Sequence, residues 1–164
     1  SGVLATGKRI HRGALFADYN NDGRVDIYVT VNGQQVEDGN GNIVFDANQG
    51  KGILLRNETQ TENSWIKVRL EGTESNRDGF GTIVNVRTAD KLQKQVLSSG
   101  QGYFSSNAKE LYFGLKEADT IDQIDILWPS GLHQSFQNIP AWQTIYIVEG
   151  ESLHQNTLIL DQKK

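Results

Sequence analysis

From residue 65 the chain alternates. Trp65-Ile66-Lys67-Val68-Arg69-Leu70-Glu71 puts Ile66, Val68 and Leu70 on one face and Lys67, Arg69 and Glu71 on the other. A period of two belongs to a strand with one face buried, as in an antiparallel sheet packed on one side. Related short apolar runs recur at 82–87, where Val84 and Val86 face inward, and at 93–98, 111–115, 124–128, 132–136 and 143–148. Turn formers separate them, among them Gly100-Gln101-Gly102 and Pro129-Ser130-Gly131. Proline in the second turn position sets φ near about −65°. Seven such runs, with a turn every ~8–12 residues, predict an all-β fold, an antiparallel β-sandwich or small barrel. The 17 glycines, 2 prolines and 37% hydrophobic content suit a turn-rich β protein better than a helical bundle.

A second feature precedes the alternating region. Asp18, Asn20, Asp22 and Asp26 fall at positions 1, 3, 5 and 9 of a loop with Gly23 at position 6. Position 7, Arg24, offers its backbone carbonyl. This is the ligand order of a Ca²⁺ loop, built from the hard oxygens that calcium prefers. Three carboxylates so close repel one another unless a cation joins them. Position 12 is Val29, so no bidentate glutamate closes the site. The flanks, 13–17 and 25–31, read as strands, so the loop joins a hairpin and not two helices. Residues 1–12 read as a polar lead-in.

Other candidates are weaker. Asp38, Asn40, Asn42 and Asp46 repeat the 1, 3, 5, 9 spacing, but Ile43 replaces the glycine. They read either as a polar hairpin tip or as a second, weaker metal loop. Asn76, Arg77 and Asp78 lie in a glycine-flanked loop. They could meet a ligand, or cap a tight turn with Arg77 paired to a local carboxylate. Trp65, Trp128 and Trp142 could line a sugar-binding face or pack in the core. His11, His133 and His154 stand alone, without metal-site spacing. Asn57-Glu58-Thr59 is a glycosylation sequon. G-x-S-x-G and H-E-x-x-H are both absent, and no nucleophile–base set is visible.

Two resemblances follow from these residues. F-A-D-Y-N-N-D-G-R-V-D-I-Y-V, closed by L-L-R-N at 54–57, resembles an FG-GAP or VCBS-type repeat, the blade unit of integrin-α-like β-propellers. The ordered set W-I-K-V-R-L-E-G-T-E-S-N-R-D-G-F-G, G-Q-G-Y-F-S-S-N, L-Y-F-G-L and I-D-I-L-W-P-S-G is similar to an ASPIC/UnbV domain. That module follows FG-GAP-type repeats in secreted proteins, including the cartilage acidic protein group. The resemblances imply a division into 1–57 (lead-in and calcium repeat), 58–150 (ASPIC/UnbV-like β domain) and 151–164 (tail). They also imply calcium and extracellular partners.

The expected function is therefore a calcium-binding, non-catalytic extracellular interaction or adhesion module of a larger secreted or surface repeat protein. Its partner would be a protein or a glycan. The alternative is an accessory carbohydrate-binding or carbohydrate-active domain of a secreted enzyme. A net charge of −4 with scattered basic residues shows no stripe for nucleic acid and no basic amphipathic helix for membrane insertion. With no cysteine, disulfides and thiolate metal sites are excluded. A chain that opens Ser1-Gly2 with no methionine reads as a piece of a longer or processed protein, secreted, periplasmic or at the cell surface. The hairpin of 13–57 cannot bury its apolar residues alone. Its strands are expected to pack on the later sandwich as one body.

Overall fold

The computed structural model describes residues 9–46 and 50–153. His154, the apolar tail segment at 158–160 and most of the lead-in lie outside these residues. Among the described residues eleven strands follow one another: β1 (Arg9–Ala17), β2 (Asp26–Glu37), β3 (Ile43–Asp46), β4 (Ile53–Leu55), β5 (Ser64–Glu71), β6 (Ile83–Thr88), β7 (Lys91–Val96), β8 (Glu110–Lys116), β9 (Thr120–Leu127), β10 (His133–Pro140) and β11 (Gln143–Val148). No helix among the described residues is long and apolar enough to cross a membrane.

They form three sheets. The first runs β1-β2-β3 with β4 also paired to β2, all antiparallel. The second runs β10-β9-β6-β7 and the third β11-β5-β8. The second and third pack face to face as a sandwich, with no closed barrel. Their inner faces carry the core: Ile66, Val68, Val84, Val86, Ile121, Ile124, Ile126, Ile145 and Ile147 are all fully enclosed. The alternation that predicts these strands is the alternation that fills the core.

The structure departs from expectation at three points. First, β11 runs parallel to β5, with Gln143 opposite Ile66 and Val148 opposite Glu71. Hairpin spacing predicts antiparallel neighbours, but these two strands are the first and last of the sandwich and meet across it. Second, β1 starts at Arg9, inside the expected lead-in. Edge pairing uses backbone groups, so the charged run 9–12 can still join β2, with register shifts between Arg9 and Ala14. Third, the first sheet does not lay its strands on the sandwich. Only Val29 of its apolar residues is buried, and Phe16 and Tyr28 are 42% and 38% exposed. The two bodies are joined by loops. Ala108 N–H donates to the Phe16 carbonyl at 3.1 Å, and the Phe16 N–H donates to Asn107 Oδ1 at 3.0 Å. The free edge of β1 is thus partly covered, which blunts it against pairing with other chains.

A buried carboxylate ties the end of the sandwich. Glu149, directly after β11, accepts from the backbone N–H groups of Thr73, Glu74 and Ser75 at 2.8, 2.9 and 2.7 Å. It also accepts from the hydroxyls of Ser75 and Ser130 at 2.7 and 2.5 Å. Successive N–H groups converging on an oxyanion form a nest. Burial would raise this carboxyl, but the hydrogen bonds from Ser130, Ser75 and Thr73 outweigh it and hold it down to about 2.

Candidate functional site

The Asp18 loop sits between the first sheet and the outer face of β5 and β8. Its local fold follows from its carboxylates. Asp18 Oδ1 accepts the Asp22 N–H at 2.9 Å and Oδ2 the Gly23 N–H at 3.0 Å. Asp22 Oδ1 accepts the Arg24 N–H at 2.9 Å. Asn21 and Gly23 adopt φ of 57° and 81°, the left-handed turns that let the chain curl round these oxygens. Asp26 closes the far side: Oδ2 takes the Tyr19 N–H at 3.2 Å and Oδ1 the Asn57 N–H at 2.7 Å. Asn57 also presents its carbonyl to Arg24 Nε at 2.8 Å and its side-chain amide to the Val25 carbonyl. The segment ending β4 is therefore anchored to the loop, and the sequon asparagine helps to hold it.

Cations of the chain itself reach the loop. Lys67, on the face of β5 that alternation marks as solvent-facing, is only 1% exposed. Its Nζ lies 3.1 Å from Asp18 Oδ2 and 3.0 Å from Asn21 Oδ1, with Glu110 Oε2 at 3.8 Å. The Arg24 guanidinium meets Asp22 Oδ2 at 2.5 Å, and the Asn20 amide donates to the same oxygen at 2.8 Å. Behind Lys67, the Tyr112 hydroxyl donates to Glu110 Oε2 at 2.5 Å and accepts the Asp18 N–H at 3.1 Å. Burial first, and the Glu110 contact next, push the Tyr112 phenol up, so it stays a neutral donor. Glu110 is also paired with Arg69. Trp65 completes the junction by packing against Gly23, where a Cβ would come within 2.1 Å of its ring.

Asp18, Asn20 and Asp22 are thus tied into one hydrogen-bonded turn, with the Arg24 guanidinium on Asp22 and Asp26 bonded to Tyr19 and Asn57. Side-chain oxygens suit a divalent cation in general, but here they face the chain's own donors. Among the described residues, no three His, Asp or Glu side chains form a metal-holding group. The hydrogen bonds give the reason: each carboxylate is turned towards the chain's own N–H groups and cations. Sequence reasoning misses Lys67 and the Arg24 guanidinium. The signal for Lys67 is tertiary, since the loop that covers it comes 40 residues or more earlier in the chain.

The weaker candidates separate from this site. Asp38 caps a hairpin tip, accepting the N–H groups of Asn42 and Asn40 at 2.9 Å each. Those two bonds, with Asn42 leading, hold its carboxyl below the usual range. Asp46 lies further along β3, opposite Gln34. In the 76–78 loop, Asn76 bonds both backbone groups of Phe80, at 2.9 and 2.7 Å. Arg77 Nε lies 3.6 Å from Glu71, and Asp78 meets Lys109 at 2.7 Å. These are the contacts of a capped turn. Trp128 is buried in the core, its Nε1 donating to Gln134 at 2.5 Å, while Trp142 is exposed near Asp119. Trp142 N–H donates to the Trp65 carbonyl at 2.8 Å, whereas Trp128 lies apart from both in the core.

The sandwich can be set against known families. The sequence model described as ASPIC and UnbV matches residues 72–154, half of the chain. The chain belongs to the ASPIC and UnbV family. No curated protein matches it. The match begins just after β5, yet β5 sits between β8 and β11 and supplies Ile66, Val68 and Leu70 to the core. The ASPIC and UnbV unit is therefore completed here by a strand outside the matched residues. The opposite face of that strand carries the two side chains, Trp65 and Lys67, that receive the Asp18 loop.

Proposed function

We propose that the chain is a non-catalytic interaction module in which an FG-GAP/VCBS-type repeat, as in the cartilage acidic protein group, is joined through a calcium-responsive loop to the ASPIC/UnbV sandwich. On this reading it works in a secreted, periplasmic or surface protein. The observation that carries it is the distribution of apolar surface. The first sheet exposes Phe16, Tyr28, Ile43, Val44, Phe45 and Leu54, and the neighbouring loop exposes Tyr103 and Phe104. Phe104 is 89% exposed and holds φ of 48°, a conformation a bulky side chain rarely adopts. Tyr28 and Leu54 are paired across β2 and β4 and so share a face, and exposed apolar surface shared between strands is where a partner would dock. The clefts support the same reading. One, about 310 Å³, is lined by Phe16, Gln95, Gln101, Asn107, Glu110 and Tyr112 among others. The other, about 500 Å³, is lined by Arg12, Thr30, Val31, Asn32, Tyr103 and Phe104. Neither pairs a tryptophan with two carboxylates, the combination a carbohydrate-active pocket would call for.

Calcium titration tests the reading. The dissociation constant expected without a position-12 glutamate is on the order of 10⁻⁴ M. Millimolar CaCl₂ should then stabilise the chain by about 1.4 kcal/mol, a rise in Tm of about 3–5 °C. Asp22→Ala should lose that response. Calorimetry without heat, and a Tm that EDTA leaves unchanged, would rule calcium out. Turnover of a polysaccharide or ester, lost on changing a cleft residue, would rule out the non-catalytic part.

A further inference from the structure

We propose that the free edge of β8 is a docking site for an extended acidic peptide, held shut in the unbound chain by Gln93 and Gln95. β8 ends the third sheet and β7 ends the second, and no backbone ladder joins the two strands. Side chains bridge them instead. Gln93 Nε2 donates to the Gly114 carbonyl at 2.8 Å, and Gln95 Nε2 to the Tyr112 carbonyl at 2.7 Å. Both glutamines lie opposite core residues of β6, Val86 and Val84, at positions where alternation calls for apolar side chains. Residues two apart on β7 thus meet residues two apart on β8, in antiparallel order. The two amides stand in for the N–H groups of a missing strand and close the edge. A ligand that displaces them must offer N–H donors at the same spacing, and an extended peptide backbone does so. The ends of this seam say which side chains it carries. Beyond the Gln95–Tyr112 contact lies the cleft of about 310 Å³, where Phe16, Val96, Leu97 and Leu111 offer apolar surface. Beyond the Gln93–Gly114 contact the same register sets Lys91 against Lys116. Both are exposed, and neither is paired with a carboxylate among the described residues. The complement is a peptide with acidic residues at the lysine end and an apolar residue at the cleft end. This rests on the interaction-module reading, names its partner and needs no calcium.

The test follows the fluorescence anisotropy of a labelled synthetic peptide added to the full chain. The peptide begins in glutamates, alternates threonine and valine, and ends in leucine, so that it can lie antiparallel to β8 as β7 does. Wild type should bind it, and Gln93→Ala/Gln95→Ala should bind it about tenfold more tightly, because the competing amides are gone. Lys91→Glu/Lys116→Glu changes two exposed residues and should weaken binding several-fold, most at low salt. The same peptide N-methylated at alternate residues, on the side that would face β8, should not bind. That arm uses the wild-type chain and stays decisive even where a variant fails to fold. No binding at all, equal binding of the N-methylated peptide, or a folded glutamine variant that binds no tighter would overturn the edge site and leave the module reading standing. Turnover of a polysaccharide or ester, read in its own assay, would defeat the module reading whatever the peptide does.

Discussion

Replacing Glu149 with alanine is expected to lower the unfolding free energy by about 3–5 kcal/mol, because it leaves several buried donors without an acceptor. Thr73, Glu74 and Ser75 aim their N–H groups at one carboxylate oxygen, and the Ser75 and Ser130 hydroxyls meet the other. Glu149→Gln keeps the shape but brings an amide N–H against donors, so it should recover only part of the loss. The same carboxylate sets an acid limit. Its pKa is lowered in the folded chain, from 4.5 to about 2. Its contribution is therefore complete above about pH 4.5 and is lost as pH falls towards about 2. Urea unfolding at neutral pH, repeated in steps down to pH 2, measures both effects. A wild-type midpoint for Glu149→Ala, or an acid profile unchanged by the substitution, would refute the assignment.

Gly23→Ala should separate the two bodies. At φ of 81° alanine carries a left-handed penalty of about 1–2 kcal/mol. Its Cβ would also come within 2.1 Å of the Trp65 ring, and overpacking of that kind adds about 1–3 kcal/mol. Both costs fall on the junction alone, since the first sheet shares no residue with the sandwich core. The variant is expected to unfold in two steps. The first should report on Trp65 fluorescence, and the second should keep the wild-type midpoint of the sandwich. A single transition at the wild-type midpoint would show that the loop does not hold the bodies together.

How much of this was legible depended on how local each cause is. Strands β5 to β11 follow from alternation and turn residues within a few positions of each other. The Asp18 loop follows from oxygens spaced within nine residues. What could not be read depended on distant partners. Lys67 alternates as a solvent-facing residue and is buried only because another part of the chain lands on it. Glu149 looks like a charged end to a strand, and its nest is formed by a loop more than 70 residues earlier. The 76–78 loop shows the opposite case. Its reactive appearance reflects Asn and Asp side chains that bond their neighbours, a local preference that needs no ligand.

The parallel pairing of β5 with β11 has a consequence for synthesis. Ile66 and Val68 lie opposite Gln143 and Ile145, so β5 gains one neighbour only when the chain has been made as far as residue 148. Contacts between residues so far apart in sequence form slowly, because a long loop must close first. Until then a growing chain on the ribosome presents the apolar side of β5 half covered, while the first sheet, complete by residue 55, has no finished surface to rest on. The making of β11, and not the emergence of the repeat, is the moment from which assembly of the sandwich should be timed. A truncation ending before Gln143 should accordingly be retained by chaperones or aggregate, even with every residue of the Asp18 loop and of Lys67 in place.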